Sequence, residues 1–143
     1  MSEKYELLEI NTDGGSRGNP GPAGIGVYAA SKGEKVFTIS ETIGETTNNV
    51  AEYTAVIRSL ETMIEKEIFT EKLKYILDSE LIVRQIFGKY KVKQPHLQLL
   101  RQQIVDLVKT LKDNGQIKLM TLITVPREQN KKADKLVNEA LDK

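Results

Sequence analysis

The sequence predicts an α/β fold: an antiparallel strand meander, then helices alternating with two further strands. Two observations lead there. Up to Ile43 the apolar residues form short runs broken by Gly, Pro, Ser and Asn, the pattern of strands and hairpins. From Ala51 onward the apolar spacing changes to three and four residues, and strand-like runs return only at Leu73–Leu77 and Ile117–Val125.

Tyr5–Thr12 is the first strand, with Leu7, Leu8 and Ile10 as its apolar members. It runs into Asp13-Gly14-Gly15-Ser16-Arg17-Gly18, which the glycines mark as leaving the strand. Asp13 shares the odd-numbered face with Glu9 and Asn11, because strand side chains alternate. The glycines after it carry no Cβ, so a ligand can approach the backbone closely. A carboxylate beside bare backbone suits a divalent cation and a phosphate-bearing ligand, although an ordinary polar turn uses the same residue types. Asn19-Pro20-Gly21-Pro22 is a loop signal. Ala23–Ala30 is the second strand, and its glycines imply close packing or a bulge. After the turn Ser31–Glu34, Lys35–Ile43 is the third strand, and such short links favour antiparallel pairing.

Ala51–Lys66 is a helix with Val56, Leu60, Met63 and Ile64 on one stripe. One turn back along that stripe is Glu52, a carboxylate directed at the protein body rather than at water, where it needs a partner. A helix-terminal glutamate answering the macrodipole is the plainer alternative. Thr46-Thr47-Asn48-Asn49 supplies capping groups ahead of it. Leu73–Leu77 is a fourth strand ending in Asp78, with Ser79 as cap of a helix Glu80–Phe87 that stops at Gly88. An Asp at the carboxyl end of a strand is where open α/β sheets place ligands, and it is also a common helix cap. Pro95 opens a longer helix with the stripe Leu97, Leu100, Ile104, Leu107, Val108 and Leu111. Ile117–Val125 is a fifth strand, and Pro126–Gln129 a loop. Asn130 is the expected N-cap of a last helix carrying Asp134 in its opening turn.

Composition narrows the function. At 143 residues one domain spanning 1–143 is expected, with 39% apolar and 29% charged residues, which argues against disorder. Lys and Arg number 21 against 20 acidic residues, so nucleic-acid binding would need local basic clusters. The Gly88–Lys93 connection supplies one in Lys89, Lys91 and Lys93, although a solvated loop reads the same way. Cysteine is absent, which excludes disulfides and thiolate chemistry. The charged N-terminus is no signal peptide and no apolar run has membrane-spanning length, so a cytoplasmic protein without membrane contact is expected.

Four carboxylates stand out at the ends of elements: Asp13, Glu52, Asp78 and Asp134. Brought together, they would repel one another unless cations lay between them. Their hard oxygens suit Mg²⁺, or Mn²⁺, leaving room for water and a substrate phosphate. Two such ions can activate water and stabilise the leaving oxygen of an in-line displacement, which implies phosphodiester hydrolysis.

The chain resembles type 1 ribonuclease H in four ordered motifs: Thr12–Pro22, Thr46–Glu52, Leu77-Asp78-Ser79 and Asn130–Asp134. The resemblance spans Tyr5 to Leu141. It implies a ribonuclease H-like five-stranded mixed sheet, order 3-2-1-4-5, flanked by helices. It also implies an endonuclease that cuts the RNA strand of RNA–DNA hybrids, leaving 5′-phosphate and 3′-hydroxyl ends. Double-stranded RNA is a second candidate substrate, a monomer is expected, and a non-cleaving hybrid-binding module of the same fold is the alternative. Asp13 is expected to bridge two metals, Asp134 to complete the water-side position, and Glu52 and Asp78 to hold the leaving-group side. Gly14, Gly15, Ser16, Asn19, Asn48 and Asn49 match positions lining the minor groove, where A-like duplexes are read by shape and 2′-hydroxyls. Thr47 and Asn19 match a DNA-phosphate pocket. The chain departs from many members in lacking a tryptophan-rich basic handle, in carrying Glu80 where glutamine is common, and in carrying Val125-Pro126-Arg127-Glu128 where a histidine-bearing loop is common. Arg127 is therefore the expected functional group of that loop, with Glu128 as the alternative, and His96 is expected to be a surface residue.

Overall fold

The computed structural model describes residues 3–88 and 91–143. The first three strands are β1 (Glu3–Ser16), β2 (Gly21–Ser31) and β3 (Glu34–Thr46), followed by α1 (Asn48–Glu65) and β4 (Ile68–Leu77). Then come α2 (Glu80–Ile86), α3 (Pro95–Asp113), β5 (Ile117–Thr124), a single 3₁₀ turn at Arg127–Gln129, and α4 (Lys131–Leu141). The five strands form one sheet in the order β3-β2-β1-β4-β5. The β1–β2 and β2–β3 pairs are antiparallel, whereas β1–β4 and β4–β5 are parallel. The expected ribonuclease H-like mixed sheet is therefore observed.

Two helices define the faces. On one, α1 lies against β1 and β2 and is backed by α3; on the other, α4 lies against β2, β3 and β1. The α1 stripe read from the sequence is buried: Val56, Leu60 and Met63 are fully enclosed with Leu8, Ile10, Ile25, Leu73 and Tyr75. Several polar groups inside this layer are paired, whereas the buried Thr12 hydroxyl has no hydrogen-bond partner. The Tyr75 and Ser59 hydroxyls lie 2.6 Å apart, and Gln116 donates to the Met63 and Ile68 carbonyls, closing the end of α1.

The first four strands all run longer than expected, β1 and β4 the most. β4 begins at Ile68, because Glu71, Lys72 and Lys74 interrupt its apolar pattern without interrupting its ladder. β1 continues past Thr12 to Ser16, so Asp13, Gly14 and Gly15 remain paired with β2 instead of leaving the sheet. Among the described residues no helix is long and apolar enough to cross a membrane.

Candidate active site

Strand register brings the first two carboxylates together. The last parallel pair between β1 and β4 is Asn11 with Ile76. Asp13 and Asp78 each lie two residues further on, Asp13 where β1 outruns its pairing with β4 and Asp78 just past the carboxyl end of β4, the side on which open α/β sheets bind ligands. Glycines then admit the helices. A Cβ on Gly14 would overlap the Ala51 carbonyl and the Glu52 nitrogen, so only glycine lets the first turn of α1 rest on β1 and bring Glu52 in. A Cβ on Gly26 would overlap the Ala133 carbonyl and crowd Leu136 and Val137. Gly26 is the register partner of Asp13, so α4 presents Asp134 to the same place.

Gly14 and Gly15 differ in what their missing Cβ leaves room for, although both border the cleft. The bare Cα of Gly14 is covered by a helix, whereas a Cβ on Gly15 would meet only the Asn48 side-chain oxygen, at 3.9 Å, leaving that backbone approachable.

Asp13, Glu52 and Asp78 can each offer an oxygen within 4.8 Å of the others. Asp134 is outside that tight trio but lines the same cleft as Asp13 and Glu52, with Gly14, Gly15, Ser16, Arg17, Asn48 and Arg127. The trio strains against its own charge. Burial, followed by repulsion from Asp78 and Asp134, pushes Asp13 from 3.8 to about 7, despite a 3.0 Å hydrogen bond from the Gly14 amide and the opposing pull of Arg127. Burial, followed by repulsion from Asp13 and Asp78, pushes Glu52 to about 8, against relief from the Ser79 hydroxyl and Arg127. A divalent cation removes this conflict, and an all-carboxylate donor set is what a hard cation takes, so the residues present fit the expected metal.

The loop residues form a cross-linked rim. Asn48 Oδ1 accepts from the Ser16 amide at 2.9 Å and from its hydroxyl at 3.1 Å, while the Asn48 amide donates to Asn19 Oδ1 at 3.0 Å. Thr47 caps α1 by accepting from the Val50 amide. Asn19, Thr47 and the half-buried Asn49 are outside the cleft lining itself. Arg17 is held at the end of α4 by Asp142 at 2.6 Å.

Arg127 and Glu128 part company: Arg127 lines the carboxylate cleft, whereas Glu128 lines a separate depression with Tyr28 and Lys132. That geometry supports Arg127 over Glu128 as the group facing the cleft. His96 is exposed in the first turn of α3. Glu80 is paired with Arg84 one turn along α2. Of the basic cluster, Lys89 lies outside the described residues. Lys91 and Lys93 are exposed, and Lys91 borders a different cavity with Arg101 and Gln98.

Asn130 stands at the expected N-cap position of α4, but its side chain acts elsewhere. Its side chain makes no capping bond to α4. It is fully buried and turned inward: Nδ2 donates to the Thr12 carbonyl at 2.9 Å and toward Asp78 Oδ2 at 3.4 Å, and Oδ1 accepts from Asn11 Nδ2 at 3.0 Å. The one signal in the sequence was Asn11, a polar residue two positions before Asp13 on the same strand face.

A family profile described as reverse transcriptase-like matches residues 11–140. Ribonuclease HI of Halobacterium salinarum is 38% identical over 131 residues, covering 91% of this chain and 62% of that protein. The bifunctional protein Rv2228c of Mycobacterium tuberculosis is 38% identical over 135 residues, covering 93% of this chain, and the chain spans only 35% of its length. Among solved structures, LC11-RNase H1 in complex with an RNA/DNA hybrid superposes with a TM-score of 0.85 at 45% identity, covering 94% of this chain and 96% of that one. RNase H1 from the Halobacterium superposes with a TM-score of 0.85 at 36% identity, covering 95% and 98%.

Proposed function

Because the chain belongs to the type 1 ribonuclease H family, we propose that it is a divalent-metal-dependent endoribonuclease that hydrolyses the RNA strand of RNA–DNA hybrids. The observation that carries this reading is the trio Asp13, Glu52 and Asp78, gathered within 4.8 Å by three different elements, with burial and mutual repulsion only partly relieved by Gly14, Ser79 and Arg127. A module that only binds hybrid has no use for that arrangement, which costs stability whenever the carboxylates ionise.

Asp13, Glu52 and Asp78 would hold the metal, and Asp134 would complete a second position on the cleft wall. Mg²⁺ is the ion proposed, with Mn²⁺ as a substitute of similar donor preference. When bound, such ions activate water and neutralise charge on the phosphate and the leaving 3′-oxygen. The remaining work falls to the chain. Gly15, Ser16 and Asn48 form a rigid polar rim against which the minor groove and its 2′-hydroxyls rest, reading shape rather than sequence. Asn19, Asn49 and Thr47 extend that contact towards the DNA strand. Arg127 directs guanidinium donors at the scissile phosphate, where a fixed fork stabilises developing negative charge. It supplies no acceptor and takes no proton. All four carboxylates come from one chain, so a monomer suffices.

Labelled hybrid, double-stranded RNA and double-stranded DNA incubated with Mg²⁺, Mn²⁺ or chelator test this. The expected result is RNA-strand cleavage of hybrid, with 5′-phosphate and 3′-hydroxyl ends, abolished by chelator. Tight hybrid binding without cleavage in either metal would establish the binding-module alternative.

A further inference from the structure

Among the described residues, Asn130 is the only buried side-chain amide that reaches β1 beside Asp13, Asp78 after β4, and the helix carrying a third acidic group. Its side chain binds Asn11 and Thr12 of β1, the two residues before Asp13, and Asp78 directly after β4. Its backbone carbonyl accepts from the Asp134 amide at 3.1 Å, and its own amide donates to the Arg127 carbonyl at 3.0 Å. The amide orientation is determined by its neighbours. The Thr12 carbonyl can only accept, so nitrogen must face it, and the Asn11 side-chain nitrogen then meets oxygen.

Building on the proposed nuclease reading, we infer that Asn130 is a positioning residue: it holds Asp78 and Asp134 in register with Asp13, so that the cleft is ready for metal. A donor held against one oxygen of Asp78 limits that carboxylate's rotation and leaves its other oxygen for the cation. Outer partners of metal ligands act in this way, and losing one typically costs roughly 10- to 100-fold in metal affinity or activity. The competing explanation is that Asn130 serves α4 only through the backbone of its N-cap position, since its side chain makes no capping bond. The two make opposite forecasts for Asn130→Asp. As caps, Asn and Asp are nearly equivalent. As the positioning group, Asp lacks the NH₂ and places an acceptor against the Thr12 carbonyl and Asp78.

The test is Mg²⁺-dependent cleavage of labelled hybrid by the parent, Asn130→Asp, Asn130→Ala and Asn11→Ala. Hybrid affinity in chelator and thermal unfolding are measured alongside. We expect Asn130→Asp and Asn130→Ala to raise the half-saturating Mg²⁺ concentration by about tenfold or more, with hybrid affinity in chelator within about twofold of the parent. Asn11→Ala, which leaves the buried amide in place but frees its oxygen, should shift Mg²⁺ dependence in the same direction by a smaller factor, and it remains informative if the Asn130 variants unfold. A parent without nuclease activity overturns the underlying reading. An active parent with unchanged Mg²⁺ dependence in Asn130→Asp, or in Asn11→Ala should the Asn130 variants unfold, overturns this inference alone.

Discussion

Replacing Asp13 by Asn should stabilise the metal-free protein at alkaline pH and leave it nearly unchanged in acid. In the fold the Asp13 carboxyl is raised from 3.8 to about 7, chiefly by burial and then by Asp78 and Asp134. The folded state therefore holds that proton more tightly than the unfolded chain. The associated stability is fully present below the unfolded value near 4 and is lost as pH rises through about 7. The separation of the two values is worth roughly 4 kcal/mol at ~1.4 kcal/mol per pH unit. In a chain of this size that corresponds to a melting shift of roughly 8–16 °C. Asn keeps the side-chain shape and an acceptor for the Gly14 amide, so the charge is the main thing removed. It also removes the strongest charge acting on Glu52. Thermal unfolding in chelator, from about pH 4 to about pH 9, reads the effect. The Asn variant should match the parent at the acid end and exceed it increasingly towards alkali, and Mg²⁺ should narrow the gap by stabilising the parent more. A difference that does not change with pH, or a variant less stable than the parent at pH 9, would refute the picture of carboxylates crowded against one another.

Gly26→Ala should destabilise by about 1–3 kcal/mol or more in urea unfolding, because its Cβ meets the backbone of α4, which cannot rotate away. Cleavage should fall with it, as Asp134 is displaced. Arg127→Ala should lower single-turnover kcat by roughly tenfold to a thousandfold, while His96→Ala, altering an exposed residue of α3, should be silent. The reverse pattern would reassign the loop. Changing Lys89, Lys91 and Lys93 to Ala should weaken hybrid binding and flatten its salt dependence by roughly one unit of slope per lost phosphate contact; an unchanged slope would move the basic contact elsewhere.

The carboxylates were readable because each stood out of place in a local pattern. Glu52 continued an apolar stripe, and it does face the protein body. Asp78 closed a short apolar run and does lie at the carboxyl end of β4. Their convergence was legible only through the family resemblance and not from local pattern, since it depends on parallel register: Asp13 and Asp78 are neighbours because Asn11 pairs with Ile76. The part Gly14 plays in helix packing was illegible for a related reason. Local sequence shows that a Cβ is missing, but not that α1 occupies the space. Asn130 does take the N-cap position its signal marks, but its side chain is held by buried partners distant in sequence, at Asn11, Thr12 and Asp78, which local sequence cannot show.

The most direct test of the central claim is single-turnover cleavage of one labelled hybrid under saturating Mg²⁺ by the parent and by Asp13→Asn, Glu52→Gln, Asp78→Asn and Asp134→Asn. Each neutral substitution should slow RNA-strand cleavage by roughly a hundredfold or more, with the fold intact and hybrid still bound. Near-parental cleavage by Asp13→Asn or Glu52→Gln would contradict the assignment of these carboxylates to one metal-dependent site.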